Sequence, residues 1–159
     1  MPYCFTSELF INAKPEAVWH AIADITNWNR WMPNLVKVEK LTSGDFAAGT
    51  KWRETRKMFG KEASEVFEVI HAAPPHALSL RCDGSNGTTG KGVFNFDYSI
   101  GPVPQGSVVC MTGNIEMPGL LAGLMIRIFG GMMKKACEKD LHALKKYLEA
   151  RNSAAAGGS

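Results

Sequence analysis

The chain has 159 residues and a mass of 17.4 kDa, enough for one domain that buries its core without a disulfide or metal staple. Hydrophobic residues make up 45% and charged residues 21%, which excludes both a disordered chain and a membrane-embedded one and reads as soluble and globular. A formal charge of +3 is too mild to point to nucleic acid. The unusual feature is eight Met, eight Phe and four Trp, a surplus of large, adaptable apolar side chains.

Residues 3–11 are rich in aromatic and β-branched side chains and end at a turn signal, which predicts a first strand. From Pro15 to Ile25 the apolar Ala17, Val18, Ala21, Ile22 and Ile25 recur at helical spacing, with Pro15 at a position that tolerates it and Glu16 in the first turn. Thr26 or Asn27 then caps one further turn, which Pro33 stops, and Trp28 and Trp31 share its face. From Val36 the period changes to two. Strands are expected at 36–41, 50–58, 63–72, 77–82, 93–100 and 107–117, with links so short that neighbours must be antiparallel. After Pro118-Gly119 one long helix runs to about Asn152. The expected organisation is a single domain over 1–152 and a disordered Ala/Gly/Ser-rich tail over 153–159.

The longest apolar stretch, 120–133, is broken by Arg127 and three glycines and falls short of the roughly 20 residues a spanning helix needs. Cys4, Cys82, Cys110 and Cys137 are widely spaced, with no C-x-x-C and no basic-then-apolar leader, so the expectation is a reduced, cytoplasmic protein.

Alternation assigns faces. On 51–58, Trp52, Glu54, Arg56 and Met58 form the inner set, which brings two charges inside, where only pairing, cavity water or a ligand tolerates them. Phe94, Phe96, Tyr98 and Ile100 form an inward row, and Val109, Met111, Gly113, Ile115 and Met117 another. In the last helix a stripe of Met125, Ile126, Phe129, Met133, Ala136, Cys137, Leu141, Leu144, Tyr147 and Leu148 faces inward. Its first half carries Leu121, Leu124 and Ile128 on the other side, so both sides need a cover there. Gly130 and Gly131 predict a kink or a close contact. Asp140 falls inside the apolar stripe and has no local explanation.

Specific segments carry a family resemblance. Ile11-Asn12-Ala13-Lys14-Pro15-Glu16-Ala17-Val18-Trp19 is similar to the opening strand-to-helix signature of the START-related SRPBCC superfamily. Asp24 with Trp28-Asn29-Arg30-Trp31-Met32-Pro33 matches its next segment. Ala48-Gly49-Thr50, Ala73-Pro74-Pro75 and the closing Asp140-Leu141-His142-Ala143-Leu144-Lys145-Lys146-Tyr147-Leu148-Glu149 continue the match across nearly the whole chain. The branch it most resembles is polyketide cyclase/dehydrase-like. The resemblance implies an α+β helix-grip fold: a curved seven-stranded antiparallel sheet around a long C-terminal helix, with two short helices between strands 1 and 2. It also implies an apolar cavity for lipids, polyketides, hormones or quinones. It implies no reaction, because the superfamily mixes catalysts with carriers.

Other motifs carry less chemistry. The run 83–92 fails as a phosphate loop, since Ser85 stands at the first glycine position, Gly92 at the closing Ser/Thr, and a strand follows; it reads as a flexible hairpin. His20, His71, His76 and His142 have no metal-ligand spacing, so no metal and no cofactor are expected. Cys82 and Cys110 lack a neighbouring base and read as small buried hydrophobes. Trp19, Trp28 and Trp31 read as fold anchors.

The resulting expectation is a binding module, monomeric or homodimeric, for a hydrophobic small molecule. Trp52, Phe67, Phe94, Phe96, Tyr98, Met111, Met125, Phe129 and Met133 would line the cavity, with Glu54 and Arg56 at the ligand's polar end. The competing expectation is a cyclase or dehydratase with Glu54 or Tyr98 carrying a proton and Arg56 stabilising an oxyanion. The apolar start of the last helix also offers a surface to a membrane or a partner chain.

Overall fold

A computed structural model describes residues 2–119 and 122–158. β1 (Tyr3–Ile11) leads into α1 (Pro15–Ala23) and a 3-10 turn at Ile25–Arg30. β2 (Leu35–Lys40), β3 (Lys51–Met58), β4 (Lys61–Ala73), β5 (Ala77–Asp83), β6 (Val93–Val103) and β7 (Gly106–Glu116) follow, and α2 (Ala122–Ala156) closes the chain. The seven strands form one sheet in the order β1-β7-β6-β5-β4-β3-β2, every neighbouring pair antiparallel. This is the curved-sheet, long-helix α+β architecture that the resemblance implies. α2 continues past the Asn152 at which its composition suggests an end. The helix expected at Leu120 and Leu121 lies outside the described residues.

Local chemistry sets the joints. Pro15 opens α1, where its missing N–H costs nothing, and Glu16 sits in the first turn. The 3-10 turn departs from the expected capping: Asp24 precedes it, and Thr26 Oγ1 and Asn27 Nδ2 donate to the Asp24 carboxylate at 3.0 and 2.7 Å. Trp28 Nε1 donates to the Ile22 carbonyl at 3.0 Å, which pins the turn to α1. Trp28 and Trp31 pack edge to face with ring centroids 6.2 Å apart.

The inner faces follow the alternation. Phe94, Phe96 and Ile100 on β6, and Val109, Met111 and Ile115 on β7, are buried. α2 lies across this side with Ile126, Leu141, Leu144 and Leu148 buried, and its later turns are tied to β1 by hydrogen bonds. Lys145 Nζ donates to the Phe10 carbonyl at 2.9 Å, and Ser7 Oγ donates to Glu138 Oε1 at 3.1 Å. Gly130 meets Tyr3 so closely that an added Cβ would overlap the ring, whereas Gly131 faces open space. The glycine pair therefore marks a close helix-to-strand contact at its first member.

The start of α2 corrects one expectation. Met125 lies one helical step, about 100°, from the buried Ile126, and is 60% exposed rather than turned inward. Leu124 and Ile128 are 72% and 56% exposed, so the cover expected on that side is not supplied by the described residues of this chain. Among the described residues no helix is long and apolar enough to cross a membrane.

Candidate functional site

Between the sheet and α2 lies a cavity of about 170 Å³. β3 and β4 build one wall through their register, which sets Trp52 opposite Phe67 and Glu54 opposite Glu65. The two rings stack with centroids 5.5 Å apart and planes at 12°. Phe96 extends the aromatic wall, 6.4 Å from Phe67, and Trp28 meets Trp52 edge to face at 5.5 Å. Phe129, Met133, Ala136 and Cys137 of α2 close the opposite side. Trp52 is 1% exposed, and its indole Nε1 has no hydrogen-bond partner, a buried donor whose desolvation costs about 1–3 kcal/mol.

The polar part of the wall is a chain of charges. Arg56 Nε donates to Glu54 Oε1, while Nη1 and Nη2 donate to Asp140 Oδ1 and Oδ2 at 3.1 and 2.8 Å. Glu54 and Arg56 point the same way because they are two apart on β3, and Asp140 reaches them from α2. A guanidinium fork matched to a carboxylate is the geometry that makes such a pair strong and directional. Burial opposes the charge on Arg56, but Glu54 and then Asp140 outweigh it and hold its pKa above the ordinary value. Asp140 moves up as well: burial raises it against the attraction of Arg56, and the negative charge of Glu54 adds to the rise.

Glu65 is the third carboxylate of the wall. Thr89 donates to its Oε1 from both N and Oγ1, at 2.8 and 2.6 Å. These bonds, with Thr88 N donating to the Ser64 carbonyl at 2.8 Å, strap the β5–β6 loop onto β4. The run 83–92 is thus a tethered segment, with Asp83 capping its short 3-10 turn at Gly84–Asn86.

Of the residues singled out in the sequence, Trp52, Glu54, Arg56, Phe67, Phe96, Tyr98, Phe129 and Met133 line the cavity. Phe94 and Met111 do not: both are buried in the core, Phe94 with its ring 5.7 Å from that of Phe129. Met125 points to solvent. Sequence reasoning missed Glu65, Asp140 and Cys137 as wall residues. Glu65 shares the inner face of β4 with Phe67, and a carboxylate inside the apolar stripe of α2 was itself a signal for Asp140. Trp28, read as an anchor, is both anchor and wall.

Burial tightens the hold of Tyr98, Cys82 and Cys137 on their protons. Burial drives Tyr98 well above its ordinary value, and burial followed by Glu65 does the same to Cys82. Cys137 is pushed up to about 12, chiefly by burial and then by Asp140. Neither thiol is a ready nucleophile. The arrangement can therefore hold an apolar body against aromatic faces and meet its polar end with buried, fixed charges.

Comparison with known proteins places this geometry. The chain is similar over 154 residues, at 27% identity, to an uncharacterised protein of Mycobacterium tuberculosis strain H37Rv, covering 97% of this chain and 89% of the relative. Its fold is similar to the Zhui aromatase/cyclase from Streptomyces sp. R1128, with TM-score 0.78 and 15% identity over 95% of this chain and 96% of that one. A protein of Thermus thermophilus superposes with TM-score 0.76 and 18% identity, over 94% and 99% of the two chains. The model of the family described as polyketide cyclase/dehydrase and lipid transport matches residues 3–149, so the chain belongs to that family.

Proposed function

We propose that this protein binds an apolar small molecule in the cavity between β3–β6 and α2, with the ligand's polar end at Glu54, Arg56 and Asp140. The observation that carries the reading is the joining of an aromatic wall to a largely buried, hydrogen-bonded charge cluster in one partly open cavity. A core built only for stability gains nothing from such a cluster, since buried ion pairs are often no better than well-packed apolar residues of the same volume. The cavity, about 170 Å³, is below the roughly 300–1,000 Å³ of typical ligand pockets. Its occupant is accordingly small, or the exposed first turns of α2 move aside to admit it.

A catalytic reading is favoured by one observation. Asp140, a carboxyl with a raised pKa, is held by two bonds to a guanidinium inside an apolar cavity, which suits it to pass a proton while Arg56 steadies a developing oxyanion. Tyr98 serves there as a hydrogen-bond donor, not as a base. The likeness to an aromatase/cyclase and the family description support a polyketide-like substrate for that reading.

Native mass spectrometry of the freshly purified protein, followed by titration of small aromatic compounds into the wild type and Ala136→Trp, tests the binding reading. A co-purified small molecule, or binding that Ala136→Trp abolishes, is expected. Binding that survives a filled cavity would overturn the assignment of the site.

A further inference from the structure

We propose, resting on the binding reading above, that the cavity selects a ligand whose polar end is a cation, an amine carried on a small apolar body, and rejects carboxylates. The inference comes from the charge inventory of the wall. Three carboxylates, Glu54, Glu65 and Asp140, face one guanidinium, Arg56. That guanidinium is tied through three of its five N–H groups, Nε to Glu54 and one on each terminal nitrogen to Asp140. Glu65 receives only neutral donors, the N–H and O–H of Thr89 and the distant thiol of Cys82 at 3.9 Å. The wall therefore holds two more carboxyl groups than it has guanidinium groups to balance them.

An uncompensated buried charge is costly, and a protein answers it with a proton, water, a metal ion or a charged ligand. The raised pKa of Asp140 has its cause in this same setting, burial first and the neighbouring charge of Glu54 in addition. A metal ion does not fit, because among the described residues no group of three His, Cys, Asp or Glu side chains is placed to hold one. An ammonium group does fit: it needs acceptors, of which the carboxylates offer several, and the aromatic Trp52, Phe67 and Phe96 share the lining with them. A ligand carboxylate would instead add to the excess and would have to share the one cation of the wall with Glu54 and Asp140. The small volume favours a body of one or two rings.

The test is isothermal titration of the intact protein at pH 7.5 with four compounds of one shape: 2-naphthylmethylamine, 2-naphthylmethanol, 2-methylnaphthalene and 2-naphthoate. The amine is expected to bind at least about tenfold more tightly than the alcohol or the hydrocarbon, a difference of about 1.4 kcal/mol, and the carboxylate weakest of all. In Glu65→Gln, which keeps an acceptor for Thr89 while removing one negative charge, the amine-to-carboxylate ratio should shrink. If the hydrocarbon binds but the amine is no tighter, or if Glu65→Gln leaves the ratio unchanged, the charge selection is overturned while the cavity reading stands. If none of the four binds, both fall.

Discussion

Removing Arg56 exposes how much the cavity depends on one cation. In Arg56→Met the side-chain volume is roughly kept, but Glu54 and Asp140 lose three charge-assisted hydrogen bonds at once. The side chains of Arg56, Glu54 and Asp140 are 19%, 9% and 23% exposed, so solvent screens the loss only partly. Breaking a buried pair by deleting one partner costs about 3–5 kcal/mol, which for a chain of this size is a fall in Tm of about 6–20 °C. The effect depends on pH with a definite sign. Asp140 already has a folded pKa above its unfolded one, so it contributes stability below the unfolded value and loses it as pH rises through the folded value. Deleting Arg56 removes the main attraction that opposes this rise, so the loss should be larger at pH 8 than at pH 5. The double variant Arg56→Met/Asp140→Leu should recover part of it at pH 8. Urea unfolding at the two pH values measures both effects. A loss under about 1 kcal/mol that is the same at pH 5 and pH 8 would refute the buried-cluster argument.

Two further outcomes check the surrounding frame. Gly130→Ala should destabilise by about 1–3 kcal/mol through overpacking against Tyr3, whereas Gly131→Ala, facing open space, should be neutral or stabilising by up to about 1 kcal/mol; equal effects in thermal melts would contradict the placement of α2 on β1. Thr89→Val removes one donor to Glu65 and should raise amide exchange across residues 84–92 without changing that of β6; unchanged exchange would mean that Glu65 does not hold the loop.

Much of the architecture was legible in the order of the residues. A period of two over Trp52–Met58 and over β6 and β7 needs only the pleat to say which side chains face inward, and burial follows that pattern. Turn residues bounded the strands to within a few positions. Glu54 and Arg56 stood out as charges on an inner face for the same reason. The cap of the 3-10 turn was less legible, because Asp24, Thr26 and Asn27 are all competent capping residues and their mutual bonds decide the geometry.

The sequence by itself determined the sheet, the long helix, the inward aromatic row and the presence of buried charge on β3, because each follows from local periodicity and from the cost of burying polar groups. Only the tertiary structure decided what answers that charge. Asp140 lies 84 residues from Arg56, and no local rule pairs them. The same holds for Glu65, whose donors come from a loop 24 residues away, and for Met125, whose exposure depends on the helix rotation that the sheet selects. Periodicity gives each element a face, but the distance between faces, and therefore whether they close into a core or leave a cavity, is set by how the curved sheet and α2 settle against each other.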